Sequence, residues 1–345
     1  MDRIVNSVKR RLRQYKCFYP HKSKEAFRWG IIGLGNMAEV FATALDVDND
    51  SRVEAVASRS IAKAKAFAKR HGYGRAYGSY EEMLMDKSLS LDVIYIATPA
   101  KHHAEHIHMC LEAGNNVLCE KPITSKADEL DTLISLAKEK NLFLMEGMWM
   151  KCLPTFQKAN EWLKEGLIGN LELIKVDFYK RELINPNQTI FNATEGGGVL
   201  HDYGIYALSF VTFFLGGIPN VLRKEMRESS FGIDADWQIY TERDGLQAFI
   251  SLSSNFKGSS KAAIVGSKGG IEWDAQFNRT NRIVRYDEKG MLQEEFVVDY
   301  KSDGFEYEIE EVKNCIRAHK QESYLVSLNS SMDAITLMEM LSNKD

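Results

Sequence analysis

The stretch FRWGIIGLGNMAEVF, residues 27–41, limits the possible fold more than any other part of the chain. An apolar run leads into Gly33, Gly35 and Ala38 at GxGxxA spacing, and helix-compatible residues follow. Glycines at the first two places permit a tight turn and close backbone approach, so that a pyrophosphate can sit on the helix N-terminus. The spacing alone is weak evidence, but its surroundings strengthen it. RVEAVAS reads as a second strand, IAKAKAFAKRHG as a helix ending at Gly72, and LDVIYIATP as a buried strand closing on Thr98-Pro99. This alternation predicts a doubly wound βαβ domain.

The end of the second strand separates NAD from NADP binders. A carboxylate there binds the ribose 2′-hydroxyl, whereas this chain carries Ser58-Arg59-Ser60. Arg59 can stack on adenine and pair with a 2′-phosphate, and Lys63, one helical turn further on, can add a second positive charge. NADP is therefore the expected cofactor, although solvated surface cations would give the same pattern. The candidate contacts are Gly33, Gly35, Asn36, Met37, Ala38, Ser58, Arg59, Lys63, Thr98, Pro99, His103, Glu120 and Lys121.

KHHAEHIHMCLEAGNNVLCEKPIT, residues 101–124, predicts a helix capped by Gly114, a short strand, and then Glu120-Lys121-Pro122 at the strand's C-terminal end. Ligands of open α/β sheets bind at such ends, which puts Lys121 near the nicotinamide; a surface lysine ahead of a helix fits the pattern too. His102, His103, His106 and His108 spread over several helix faces, so no metal site is expected. Further on, GGGVLHDYGIYALSF, residues 196–210, sets Asp202 and Tyr206 four apart on one helix face. A first-turn carboxylate favoured by the helix dipole beside a core tyrosine satisfies that segment equally well.

A chain of 345 residues suggests two domains. Residues 1–28 hold nine Lys or Arg against Asp2 and Glu25, a net +7, so the remainder carries −11. This basic arm, residues 1–27, resembles a short amphipathic helix without the apolar core of a signal peptide. The overall net charge of −4 argues against general nucleic-acid binding. No apolar run is long enough to span a bilayer. Cys17, Cys110, Cys119, Cys152 and Cys315 are odd in number and scattered, which suggests neither disulfides nor zinc and fits a cytoplasmic protein.

Three motifs, GIIGLGNMA, EAGNNVLCEKPIT and GGGVLHDYGIYALSF, occur together in an order that closely resembles the glucose-fructose oxidoreductase, inositol dehydrogenase and rhizopine-catabolism (Gfo/Idh/MocA) family. The likeness runs from about Phe27 to the C-terminus. It implies an α/β protein with an N-terminal Rossmann domain, 28–147, and a C-terminal α/β domain, 148–345, with a large, mostly antiparallel sheet. Strand-like runs LELIKVDFY, DWQIYTER, LQAFISLSS, AAIVG, GGIEWDA and RIVRYD supply such a sheet, and helical segments near 305–319 and 330–342 are expected to return to the first domain. The resemblance further implies that Lys121, Asp202 and Tyr206 meet at the nicotinamide as the catalytic set. It also makes a homo-oligomer through the outer sheet face the default. MEGMWMKCLPTF is similar to the dimeric dihydrodiol dehydrogenase and NADP-linked D-xylose dehydrogenase subgroup, with Lys151 and Cys152 where that subgroup usually has Arg and Phe.

Trp149, Lys151 and Tyr203 are the candidate substrate contacts, Trp149 serving either as a pocket wall or as interdomain packing. The expected activity is NADP-dependent hydride transfer to or from a secondary alcohol or hemiacetal of a sugar or cyclic polyol. Tyr206 would act as general acid/base, its phenolate favoured by Lys121, or Lys121 would itself relay the proton. The alternatives are a cofactor-retaining sugar–sugar oxidoreductase and a non-catalytic NADP-sensing regulator.

Overall fold

The computed structural model describes residues 25–181, 189–192 and 197–343, so nearly all of the expected basic arm, with Cys17, lies outside the described residues. The chain divides into two compact units. The first comprises 25–120, 132–147 and 301–323. Its sheet has six strands in the order β3-β2-β1-β4-β5-β6, all parallel. This is the strand order of a dinucleotide-binding Rossmann sheet. Strands β1 (Phe27–Ile32), β4 (Val93–Ile96) and β5 (Val117–Glu120) are buried almost throughout, as parallel strands covered on both faces must be. The others are β2 (Ser51–Ala57), β3 (Arg75–Tyr77) and β6 (Leu144–Gly147).

Helix α1 (Asn36–Val47) buries Ala38, Phe41, Ala42 and Leu45, an apolar stripe at helical spacing. Phe41 stacks on Tyr95 of β4 with centroids 3.8 Å apart. It also meets Phe305 edge-on at the start of a late helix, Phe305–Arg317, which belongs to this unit. Helices α2 (Ile61–His71), α3 (Tyr80–Met85), α4 (His103–Glu112) and α5 (Ala127–Glu139) alternate with the strands.

The second unit comprises 121–131, 148–300 and 324–343 among the described residues. Its eight strands are β7 (Leu171–Tyr179), β8 (Asn220–Glu228), β9 (Asp234–Arg243), β10 (Leu246–Ser253), β11 (Ala262–Gly266), β12 (Gly269–Trp273), β13 (Arg282–Asp287) and β14 (Leu292–Val297). They lie in the order β14-β13-β12-β11-β7-β10-β9-β8, antiparallel except where β7 pairs with β10. Helix α6 (Pro154–Lys164) precedes it. Helix α7 (Ile205–Leu215) packs on β7, on β10 and on the last helix, Leu328–Ser342. Contact on several sides explains why IYALSFVTFFL is apolar nearly all round. The α/β class with a Rossmann sheet and a mostly antiparallel sheet is thus as expected.

The two closing helices are α8 (Phe305–Arg317) and α9 (Leu328–Ser342), both expected from the sequence to return from the C-terminal domain to the first. Only α8 groups there; α9 groups with the second unit because its buried Ala334, Leu337, Met338 and Leu341 accompany packing on α7.

Candidate active site

In the first unit, the GxGxxA loop links β1 to α1. Gly33 has φ of 82°, and a Cβ there would stand 2.6 Å from the backbone nitrogen of Thr98. Both facts exclude a side chain. Gly35 is the N-cap of α1 and supplies no side-chain cap, and a Cβ on it would meet no protein atom within 4 Å. The first intrahelical bond from this cap is Glu39 N–H to the Gly35 carbonyl, so helix geometry leaves the amides of Asn36, Met37 and Ala38 directed outwards. Free amides, a helix dipole and open space suit a pyrophosphate, and these residues fit a dinucleotide.

The loop opposite is stiffened by two histidines. His103 is buried with Nε2 2.8 Å from the Thr98 carbonyl, and His106 Nδ1 lies 2.9 Å from Thr98 Oγ1. His103 therefore braces the Thr98-Pro99 turn. Burial pushes the His106 imidazole below its ordinary pKa. His102 lies beside Glu105 and its ring is 5.6 Å from that of His106, while His103 turns to the Thr98 carbonyl and His108 is exposed. Among the described residues no three His, Cys, Asp or Glu side chains converge on a possible metal position.

At the end of β2, Ser58 is buried, while Ser60 caps α2 by accepting the Lys63 amide at 3.4 Å. Arg59 and Lys63 are exposed on that rim. Arg59 lies near enough to Tyr80 and His106 for its charge to act on both. Glu120, ending β5, is buried and accepts the Tyr95 hydroxyl at 2.5 Å.

In the second unit, Lys121 gathers the remaining candidates. Its side chain is 11% exposed. Nζ donates to the Asp202 carboxylate at 3.1 Å and to the Asp202 backbone carbonyl at 2.7 Å. It also stands 5.2 Å from the centroid of the Tyr206 ring. The structure thus brings Lys121, Asp202 and Tyr206 together, although they are separated by as many as 85 positions in sequence. The local backbone differs from the plain helix expected: Leu200–Gly204 forms a π-helical turn before α7. Such turns interrupt the regular ladder and frequently mark functional sites.

Trp149, in the 3-10 turn Trp149–Cys152, is buried and donates its indole N–H to the Tyr206 hydroxyl oxygen at 3.0 Å. This bond fixes the orientation of the Tyr206 hydroxyl. Tyr203 is buried, stacks on Phe178 at 5.3 Å and lies under the Lys180 ammonium at 4.9 Å. Lys151 is fully buried, donating to Ser330 Oγ at 3.0 Å, with its ammonium 5.6 Å from the Phe213 ring centroid. That placement ties the turn to α9.

Sequence reasoning passed over two neighbours. Asp234, on β9 (Asp234–Arg243), accepts the Leu200 amide at 2.7 Å. His201 sits within the π turn with Nδ1 buried and unpaired, and burial lowers its pKa against the opposing charge of Asp234. No local pattern signals either contact; only the proximity of β9 to the turn creates them.

A profile of the GFO/IDH/MocA oxidoreductase family, NAD-binding Rossmann fold, matches residues 27–148, and one of the GFO/IDH/MocA C-terminal domain matches 156–272. Trans-1,2-dihydrobenzene-1,2-diol dehydrogenase of Xenopus laevis is 33% identical over 330 residues, covering 91% of this chain and 96% of that protein. The Homo sapiens protein of the same name is 31% identical over 314 residues, covering 89% and 93%. A 3-ketoreductase from Actinomadura kijaniata, solved in complex with NADP and TDP-benzene, has TM-score 0.81 at 25% identity, covering 92% of this chain and 97% of that one. An aldose–aldose oxidoreductase from Caulobacter crescentus shares the fold at TM-score 0.80 and 20% identity, covering 92% and 96%. The chain belongs to the GFO/IDH/MocA oxidoreductase family and is an NAD(P)-dependent dehydrogenase.

Proposed function

We propose that this protein uses NADP to oxidise, or in reverse to form, a secondary alcohol or hemiacetal carbon of a sugar or cyclic diol. The observation that carries this reading is the Lys121, Asp202, Tyr206 and Trp149 cluster: an ammonium held by a carboxylate, beside a phenol that accepts an indole hydrogen bond. Bound NADP supplies the hydride acceptor. Tyr206 takes the proton from the reacting hydroxyl, Trp149 holds the phenolic oxygen in position, and Lys121 stabilises negative charge developing on the phenol and substrate oxygen. Asp202 fixes the lysine in place.

NADP in preference to NAD is supported by the exposed Arg59 and Lys63 on a strand end that carries no carboxylate. The 3-ketoreductase was solved with NADP, and the curated relatives act as dihydrodiol dehydrogenases, which supports a hydroxylated ring as substrate. A homo-oligomer through the outer face of the second unit's sheet completes the proposal. A regulator that only senses NADP has no use for this cluster.

A panel of aldoses, inositols and dihydrodiols with NADP+ or NAD+, followed by absorbance of the reduced nicotinamide, tests the reading. Turnover on at least one cyclic or sugar substrate is expected. Arg59→Ala should weaken NADP+ by roughly 1.5–3 kcal/mol, the range of a hydrogen bond to a charged group, and NAD+ much less. Equal losses for both cofactors would remove Arg59 from the 2′-phosphate.

A further inference from the structure

The π turn that carries Asp202 needs something to hold it. Its first residue, Leu200, gives its amide to Asp234 Oδ2 at 2.7 Å, and Trp237 Nε1 donates to the same oxygen at 2.6 Å. The other carboxylate oxygen lies against Gly198, where a Cβ would stand only 1.8 Å away. Gly198 also has φ of 118°, so the glycine serves both an unusual backbone angle and the close approach of this carboxylate. Asp234 opens strand β9, where it pairs with Glu228 of β8 (Asn220–Glu228), and β10 joins the strand from Asp236 onward. The Asp234 side chain is thus a bracket between the sheet and the start of the turn.

Two residues beyond Leu200, Asp202 presents both its carboxylate and its main-chain carbonyl to Lys121. The carbonyl of Asp202 lies within the π turn, where the regular ladder is displaced, and it accepts from Lys121. We infer that Asp234 is a positioning residue, pinning the π turn so that both oxygens of Asp202 meet the Lys121 ammonium. It acts through Asp202 and touches no reacting atom. The inference rests on the catalytic reading of Lys121 and Asp202, but its geometry can be tested without catalysis.

The test is competitive acylation of the full-length chain with trace acetic anhydride, read by mass spectrometry as labelling of Lys121 relative to the exposed Lys65. In Asp234→Ala the ratio should rise about fivefold, as loss of roughly one hydrogen bond's worth of restraint allows. Asp234→Asn keeps shape and one acceptor oxygen but loses charge, so it should shift the same way by about twofold; it also serves if the alanine variant does not fold. A merely structural Asp234 would lower the unfolding midpoint and leave the ratio at its wild-type value. That result in a folded variant would overturn the inference.

Once a substrate is found, Asp234→Ala should lower kcat by about 10- to 100-fold with the KM for NADP unchanged, because a small misplacement near the chemistry costs rate rather than cofactor binding. If the wild-type chain turns over nothing in the panel, the dehydrogenase substrate reading fails while the labelling ratio still decides the role of Asp234. If the wild-type is active and the Asp234 variants match it in both labelling and kcat, the catalytic reading stands and this inference falls.

Discussion

Trp149 shows how one atom can add to a role that a residue type leaves open. In the sequence an indole at that place suits a pocket wall or a packing surface equally well. Its N–H on the Tyr206 hydroxyl adds an orienting contact to either reading. Trp149→Phe keeps an aromatic ring and removes only that donor, so kcat should fall about 3- to 10-fold, the worth of one neutral hydrogen bond. Steady-state kinetics on a folded variant checks this, and an unchanged kcat would return Trp149 to packing. Lys151 shows the opposite limit. A lysine beside a predicted site invites a functional role, yet its burial against Ser330 depends on α9, nearly 180 residues away, and no local pattern carries that information.

Between elements, α1 and α2 are locked by charge. His71, ending α2, bonds Asp46 at 2.8 Å and Glu39 at 3.1 Å, both on α1, and Arg70 pairs with Glu39 as well. Burial alone would push the imidazole down, but hydrogen bonds to the two carboxylates outweigh it and raise its pKa to about 9. Because the folded value lies above the ordinary 6.5, this stabilisation is complete below about pH 6.5 and is lost as pH rises through about 9. His71→Gln should therefore cost roughly 2–3 kcal/mol near pH 7, falling towards zero by about pH 10. Urea unfolding of both proteins across that range checks it, and a difference independent of pH would contradict the lock.

Element-scale reading succeeded where burial writes itself into composition. Strands β7, β11 (Ala262–Gly266) and β13 (Arg282–Asp287) correspond to the runs LELIKVDFY, AAIVG and RIVRYD. Besides β3 and β6 at the edges of the first sheet, the strands missed were the two edges of the second, β8 and β14 (Leu292–Val297). NVLRKEMRE is exposed along most of its length and LQEEFV along two thirds, so neither needs the apolar alternation by which a strand is recognised. The π turn was equally hidden, since the contact of Leu200 with Asp234 joins residues 34 apart and leaves no local pattern.

At the scale of the whole molecule, the outer sheet face bears on assembly. Tyr240 is 46% exposed with Phe249 4.7 Å from it, and Val265 is 38% exposed. An apolar patch on a sheet face suits a second copy, provided the buried area exceeds roughly 1,000 Å². Tyr240→Glu with Val265→Glu should convert the oligomer to monomer in light scattering, and an unchanged mass would exclude this face.

The central claim is that Tyr206 and Lys121 move the proton that accompanies hydride transfer. Both were named from motifs, but their meeting depends on a lysine that follows directly on β5 and a turn held 81 residues further on. The most direct measurement is kcat of Tyr206→Phe on the substrate the panel identifies. This variant preserves the ring and its place under the Lys121 ammonium while deleting the hydroxyl. The account predicts a fall of roughly 10²- to 10⁴-fold, the usual contribution of general acid/base catalysis, with NADP binding nearly unchanged. Lys121→Met should fall comparably, and the double variant should be far less impaired than the product of the two. Turnover of Tyr206→Phe within a few-fold of wild-type would contradict the account and leave the proton to Lys121 or to water.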